Sequence, residues 1–160
     1  MMQCAFQLLG RKPWLAPRFL FWWMRGRATL KAEIALRAET FDPAALRYHA
    51  ELLSWLRAEK AGGRRLVIAS GADRRIVAAV AGHLGLFDEI FASDGRINLT
   101  GPRKAAALGR RFAEFAYVGN SRADVAVWRR ANQSYLVARG PGLAARLGRQ
   151  VKFTRVFHNR

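Results

Sequence analysis

The chain has 160 residues, of which 51% are hydrophobic and 11% aromatic, and its formal net charge is +17 at pH 7. This composition excludes an intrinsically disordered chain, and the length allows one domain with a substantial core. The single cysteine, Cys4, excludes an intrachain disulfide and a cysteine-based zinc site. Such cysteine usage is typical of a reducing, cytoplasmic environment.

The basic excess comes mostly from arginines that are scattered along the whole sequence. A scattered excess indicates nucleic-acid binding less strongly than a clustered stripe does, so nucleic acid is not the expected partner. The same charge suits attraction to an anionic membrane surface. The apolar run Phe19–Met24 is too short for a secretory signal or a membrane span. We therefore expect a cytoplasmic chain, with membrane-peripheral attachment as the alternative.

Residues 1–40 are predicted to form an N-terminal, cap-like helical segment. Within it, residues 13–31 mix aromatic side chains such as Trp22 and Trp23 with basic ones such as Arg25 and Arg27. An aromatic and basic helix can lie in a membrane interface. The preferred interpretation is a helical hairpin that packs on its own domain, because aromatic stripes usually belong to a core.

From residue 41 to residue 150, short apolar runs alternate with helical patterns. The predicted strands are 65–70, 87–92, 115–119 and 134–138, and the predicted helices are 43–60, 73–84, 102–112 and 124–130. Alternation of this kind implies right-handed crossovers and a mainly parallel sheet. The predicted fold is therefore an α/β, Rossmann-like core flanked by helices, and residues 151–160 form either a tail or the last strand.

Two polar residues at the predicted junctions have both a functional and a structural interpretation. Ser70 follows an apolar strand, so its hydroxyl could contact a phosphate, but Ser70-x-x-Asp73 also fits a helix cap. Lys104 falls in the first turn of a helix, where a cation opposes the helix dipole. A bound phosphate would reverse that penalty, whereas the structural alternative is an exposed lysine without a partner.

The segment Gly-Asn-Ser-Arg-Ala-Asp, residues 119–124, also supports two interpretations. The carboxamide of Asn120 and the carboxylate of Asp124 could together hold a hard cation through oxygen. Equally, Ser121-x-x-Asp124 fits a capping box, which only satisfies backbone N–H groups. The segment by itself does not decide between them.

The ordered set of a hydroxyl, a lysine and Gly-Asn-Ser-x-x-Asp, each at a strand or helix end, resembles the last three motifs of the haloacid dehalogenase (HAD) superfamily. The resemblance implies a phosphohydrolase in which Ser70 and Lys104 are catalytic and contact phosphate, together with Gly71. It also implies that Asn120 and Asp124 hold Mg²⁺. We therefore expect Ser70, Lys104 and Asp124 to converge on one anion-sized site.

The resemblance extends to a subgroup, the HAD-type domain that precedes the membrane prenyltransferase domain of UbiA-type fusion proteins. The supporting segments are Arg-Gly-Arg-Ala-Thr-Leu-Lys (25–31), His-Leu-Gly-Leu-Phe-Asp (83–88) and Ala-Ser-Asp-Gly-Arg (92–96). This resemblance implies a phosphorylated small molecule or a prenyl-lipid intermediate as substrate. It also implies a membrane prenyltransferase as a partner.

Two departures from the family pattern bear on activity. Asn120 stands where the family usually has an aspartate, which removes one negative charge near the expected ion. No Asp-x-Asp occurs among the 160 residues, although the family's first motif supplies its aspartate nucleophile there. The central strand that carries the motif is thus expected to be missing, so the strands ending at Ser70 and Gly119 either pair directly or leave a gap.

Three functions follow from these observations. The first is a magnesium-dependent phosphohydrolase by ancestry, inactive or truncated in the form given. The second is a non-catalytic HAD-like module associated with a membrane prenyltransferase or another partner. The third is a basic protein that binds nucleic acid or anionic lipid through its charge.

Overall fold

A computed structural model describes residues 41–94, 96–138 and 140–158 of the chain. The helical segment predicted for residues 1–40 lies outside the described residues. The described residues form two compact units. Unit 1 contains residues 41–47 and 56–99, and unit 2 contains residues 48–55 and 100–158. The boundary falls inside a helix, after Trp55.

Helices and strands alternate along both units, as the sequence predicts for an α/β fold. In chain order the elements are a 3-10 helix Pro43–Ala45, α1 Ala50–Ala61, β1 Val67–Asp73, α2 Arg74–Leu84, β2 Glu89–Ser93, α3 Gly101–Arg111, β3 Ala116–Gly119, a 3-10 helix Arg122–Asp124, α4 Val125–Trp128, β4 Gln133–Ala138, α5 Pro141–Gly148 and β5 Arg155–His158.

Unit 1 is built on β1 and β2, which pair in parallel with Val67 opposite Glu89 and Ser70 opposite Ala92. The register shifts between Ser70 and Asp73, so the strand is irregular at its carboxyl end. Helix α2 then returns against both strands. It ends at Gly85, whose φ of 62° is a left-handed conformation that a residue with a Cβ rarely adopts.

Unit 2 is built on a three-stranded parallel sheet in the order β3-β4-β5. Most side chains of the central strand β4 are buried, and Leu136 and Phe157 are fully buried in the core of the unit. Trp55, from the end of α1 that belongs to this unit, packs on Tyr135 and Phe157 with ring centroids 4.8 and 5.4 Å away. Apolar burial of this kind stabilises the sheet.

The fold is therefore the predicted mixture of parallel strands and flanking helices, arranged in two sheets. Among the described strands, β1 pairs with β2, and β3 pairs with β4. The strands that contain Ser70 and Gly119 thus belong to different sheets. The two alternatives for a missing central strand, direct pairing or a gap, stay a prediction.

The predicted start of the first helix was wrong. The helix predicted for 43–60 is two elements, because Asp42 caps a 3-10 turn and Leu46 is extended, with φ −77° and ψ 140°. Helix α1 begins only at Ala50, where the ring of His49 accepts a hydrogen bond from the Leu52 N–H. Leu46 is 42% exposed, so no burial of its side chain opposes the break.

The predicted cap at Ser70 was also wrong. Strand β1 continues to Asp73, and α2 begins at Arg74, so the cap is Asp73, whose carboxylate accepts the Arg75 N–H at 3.0 Å. Ser70 instead accepts the Ala72 N–H at 3.1 Å and closes a local turn inside the strand. Its hydroxyl oxygen therefore accepts from the irregular end of β1 and not from the first turn of α2.

Candidate functional site

The side chain of Lys104 is buried in unit 2, not exposed as the structural alternative required. Proline is favoured in the first turn of a helix, and Pro102 lies there in α3. Lys104 follows it on the same turn, and only 8% of its surface is exposed. Its ammonium lies 3.1 Å from an oxygen of Asp124. Burial of an ammonium is costly unless it is paired, so this ion pair is what allows the position.

Asp124 is 5% exposed and accepts hydrogen bonds on both carboxylate oxygens. Oδ2 accepts from the backbone N–H groups of Asn120 and Ser121, each at 3.2 Å, and from the Ser121 hydroxyl at 3.0 Å. Ser121 and Asp124 together form a capping box at the 3-10 helix, which confirms that structural interpretation. Oδ1 faces the other way, toward Lys104.

The third member of the cluster, Tyr117, was missed in the sequence. Its hydroxyl accepts a hydrogen bond from Lys104 Nζ at 2.8 Å and donates one to Asp124 Oδ1, also at 2.8 Å. The residue precedes Gly119 by two positions on β3, so both lie on the same buried face of the strand. The two-residue spacing from Gly119 is the sequence signal that could have identified Tyr117. A tyrosine on the buried face near the end of a strand places its hydroxyl close to the turn that follows.

Gly119 is required by the close packing of this cluster. A Cβ on Gly119 would lie 2.7 Å from Trp128 Cζ2, 2.9 Å from Asp124 Cβ and 2.9 Å from Tyr117 Cε1. Distances this short are closer than van der Waals contact allows. Because Gly119 has no Cβ, the end of β3 can pack directly against Tyr117, Asp124 and Trp128.

The cluster fixes the protonation state of its acidic members. Burial raises the pKa of Asp124, but Lys104, the Tyr117 hydroxyl and the Asn120 N–H oppose it, and the net pKa lies below 3.8. Burial, together with the negative charge of Asp124, raises the pKa of Tyr117 above its usual value of 10.0. At neutral pH the carboxylate is therefore ionised, and the phenol keeps the proton that it donates.

Ser70 and Gly71 lie in unit 1, at the irregular end of β1. Their convergence with Lys104 and Asp124, which lie in unit 2, stays a prediction. Within unit 1 the sequence did not identify Ser93, which is 1% exposed. Its hydroxyl donates to the Gly71 carbonyl at 3.0 Å and accepts the Leu99 N–H at 2.9 Å. Ser93 thereby ties the end of β1 to the chain that leaves β2.

The described arrangement of donors does not fit a metal ion at Asp124. The carboxylate offers about four lone-pair directions, and five donors already contact its oxygens. Asn120 is exposed, and its backbone rather than its carboxamide contacts Asp124. Residues 41–94, 96–138 and 140–158 contain no group of three or more His, Cys, Asp or Glu that could hold a metal. The assignment of Asn120 and Asp124 to Mg²⁺ stays a prediction.

Comparisons with known proteins agree with the α/β fold. The model of the haloacid dehalogenase-like hydrolase family matches residues 4–129. The uncharacterized protein y4nM of Sinorhizobium fredii (strain NBRC 101917 / NGR234) is 34% identical over 126 residues, which are 78% of this chain and 24% of that protein. The chain thus spans about a quarter of the length of this curated relative. No solved structure matches. The chain belongs to the haloacid dehalogenase-like hydrolase family.

Proposed function

We propose that this chain is a phosphohydrolase-type domain that binds phosphate esters through Lys104 and does not hydrolyse them by itself. The observation that carries the proposal is the buried ammonium of Lys104, held by Asp124 at 3.1 Å in the first turn of α3. Lys104 donates to Tyr117 and Asp124, which accounts for two of the three N–H groups of an ammonium. The third can serve an anion, which the N-terminal end of α3 also attracts.

Hydrolysis lacks a nucleophile in these residues. Aspartyl-phosphate chemistry needs a carboxylate beside the phosphate, and the 160 residues contain no Asp-x-Asp. Phosphatase ancestry, with Ser70 and Gly71 as further phosphate contacts, is part of the proposal. Family membership implies Mg²⁺ at Asn120 and Asp124, where it would supply charge neutralisation for phosphoryl transfer. It is not part of the proposal, because five donors already contact the Asp124 carboxylate.

Phosphate binding and hydrolysis are tested separately. Titration with inorganic phosphate, followed by NMR, should shift backbone signals around Lys104, and Lys104→Met should abolish those shifts. Lys152→Met is the matched control, because it removes one exposed positive charge from the same unit. With Mg²⁺ present, the wild type should hydrolyse p-nitrophenyl phosphate no faster than Lys104→Met does. Turnover well above that variant, or equal phosphate shifts in both variants, would refute the proposal.

The substrate class and the partner are proposed from a resemblance to prenyltransferase-associated domains, which covers residues 14–36, 42–72, 85–98, 104–108 and 117–128. A phosphorylated small molecule or a prenyl-lipid intermediate is the proposed ligand, and a membrane prenyltransferase is the proposed partner. The relative in Sinorhizobium fredii is about four times as long as the matched region, which leaves room in that protein for another domain. Co-purification with a prenyltransferase domain supplied on a separate chain is the test. Failure to co-purify at low salt contradicts it.

A second candidate function is attachment to an anionic membrane surface, with a cytoplasmic, membrane-peripheral location. It is favoured by the uneven charge, since residues 48–55 and 100–160 contain 13 basic and three acidic residues. No helix among the described residues is long and apolar enough to cross a membrane. Sedimentation with phosphatidylserine vesicles should be strong at 50 mM NaCl and lost at 500 mM. Equal binding to neutral phosphatidylcholine vesicles would contradict this candidate.

A further inference from the structure

The Tyr117 hydroxyl contacts both charged side chains of the cluster in unit 2. It lies 2.8 Å from Lys104 Nζ and 2.8 Å from Asp124 Oδ1, and those two atoms are 3.1 Å apart. We infer that Tyr117 is a positioning residue that keeps Lys104 and Asp124 in a closed, internally neutralised cluster. In this cluster the lysine ammonium takes the role of counter-ion to Asp124, so the cluster forms without a divalent cation.

The ring of Tyr117 is held firmly enough to position a hydroxyl. It is 8% exposed, and its edge meets Trp128 with the ring centroids 6.3 Å apart and the planes at 71°. Its Cε1 lies against the open side of Gly119, where a Cβ would be only 2.9 Å away. Because Trp128 and Gly119 pack on two sides of the ring, the ring cannot turn freely, and its hydroxyl is held toward the ion pair.

A divalent cation at Asp124 would have to displace groups that are already well placed. The Lys104 ammonium and the Tyr117 hydroxyl occupy Oδ1, and the turn N–H groups and Ser121 occupy Oδ2. Mg²⁺ needs oxygens at about 2.0–2.1 Å and surrounds itself with several of them. Displacing the lysine from the carboxylate would also leave a buried ammonium without its counter-charge. The geometry therefore disagrees with the magnesium site that family membership implies.

The inference rests on the proposed function in one respect only, namely that the remaining N–H of Lys104 faces the anion. The closed cluster would present that donor without prior metal binding. Phosphate binding should then be the same in EDTA and in Mg²⁺. Dependence of the phosphate shifts on Mg²⁺ would overturn the inference, whereas absence of phosphate binding together with metal insensitivity would overturn only the proposed function.

The first experiment measures the melting temperature of the 160-residue chain after EDTA treatment, with and without 10 mM MgCl₂. The wild type should shift by less than about 1 °C, because a cation that does not bind the folded state does not stabilise it. Lys104→Met should melt lower and rise by about 3 °C or more in Mg²⁺, since the carboxylate is then uncompensated. A magnesium-dependent rise in the wild type, or no rise in a folded Lys104→Met, would overturn the inference.

The second experiment does not require Lys104→Met to fold. Paramagnetic Mn²⁺ is titrated into the ¹⁵N-labelled wild type, and line broadening is followed at the amides of Asn120, Ser121 and Asp124. No selective broadening of these signals is expected at 0.5 mM Mn²⁺. Selective broadening would show that a cation reaches the carboxylate in the folded protein, and it would overturn the closed cluster.

The third experiment isolates Tyr117. Tyr117→Phe keeps the ring and removes the hydroxyl, and Tyr135→Phe is its matched control, because Tyr135 is also buried in unit 2 and bonds to Gln133. The ¹⁵N signal of the Lys104 side chain should weaken or vanish in Tyr117→Phe, since its ammonium loses an acceptor and exchanges faster with water. It should persist in Tyr135→Phe. A loss of melting temperature in both variants with the Lys104 signal unchanged would mean that Tyr117 is merely structural, and would overturn its assigned role.

Discussion

At the scale of single residues, the geometry of the cluster depends on the missing side chain of Gly119 as well as on the charges of Lys104 and Asp124. Gly119 has no Cβ, so Tyr117, Asp124 and Trp128 can all meet above it. The ion pair of Lys104 and Asp124 is buried, which makes its geometry strict, because only 10% and 7% of the two side chains are exposed to water. A conservative change at any of these positions therefore acts on the whole cluster.

Gly119→Ala is expected to destabilise the protein by about 1–3 kcal/mol, because the added methyl overlaps three neighbours and packed surroundings yield little. The free energy of unfolding is measured by urea denaturation. Gly142→Ala is the control, since no atom lies within 4 Å of its added Cβ. Equal stability of the two variants would contradict the close packing around Gly119.

Asp88 in unit 1 is expected to make a pH-dependent contribution to the free energy of unfolding. The Lys60 ammonium and the Leu66 N–H both bond to its carboxylate and lower its pKa below 3.8. The folded-state pKa is the lower one, so the stabilisation is present above about pH 3.8 and is lost as the pH falls through the folded-state pKa. The urea midpoint of the wild type should exceed that of Asp88→Asn at pH 6, and the gap should close toward pH 3.

The control for this pH dependence is Glu114→Gln, which removes one exposed carboxylate from unit 2. Its midpoint should stay close to that of the wild type from pH 6 to pH 4. A gap between the wild type and Asp88→Asn that stays constant down to pH 3 would contradict the lowered pKa.

At the scale of elements, the ends of helices and strands hold the residues of interest. The irregular end of β1 uses Ser70 within the strand, and α2 takes Asp73 as its cap, although the sequence suggested the reverse assignment. In unit 2 the strand β3 ends on Gly119, and the capping box that follows begins the short helices. Each turn is closed by side chains that the chain supplies within a few residues.

Asp73→Ala should lower the free energy of unfolding by about 1 kcal/mol, because α2 loses its cap and the buried cap position loses its hydrogen bonds. Ser70→Ala should lower the free energy of unfolding by less, because Ser70 is half-buried and its side chain makes one local hydrogen bond, to the N–H of Ala72. Urea denaturation of both variants at pH 7 is the measurement. A larger loss for Ser70→Ala would mean that Ser70 is the true helix cap.

At the scale of the whole molecule, charge is distributed unevenly. Residues 41–47 and 56–99 contain eight basic and six acidic residues, whereas residues 48–55 and 100–160 contain 13 and three. Most arginines in the second set are exposed, including the pair Arg129 and Arg130 at the end of α4. Like charges at this density repel one another, and salt screens that repulsion over about 10 Å at 0.1 M.

Raising NaCl from 20 to 300 mM is therefore expected to raise the urea midpoint of the protein at pH 7, because screening relieves repulsion in unit 2. The double variant Arg110→Gln, Arg129→Gln should respond less, since two of the exposed charges are gone. A midpoint that falls with salt in the wild type would show that the surface ion pairs outweigh the repulsion.

The sequence by itself determined the alternation of strands and helices and the family. It also determined that Lys104 lies in the first turn of a helix and Asp124 in a capping box. Hydrophobic periodicity and short polar motifs are local properties of a chain, which is why these features could be predicted.

The sequence also offered Ser121 as a partner of Asp124 through the capping box, but it did not identify the partners of Lys104 and Asp124 that lie farther away in sequence. Tyr117 and Ser93 acquire their roles from contacts that span six or more residues of sequence. Strand alternation could place Tyr117 on the buried face of β3, but it does not specify which side chains the hydroxyl contacts. Only the tertiary structure decided that Lys104 and Tyr117 join the local donors of the turn at Asp124, because a buried carboxylate is stable only when hydrogen bonds and an opposite charge replace its hydration.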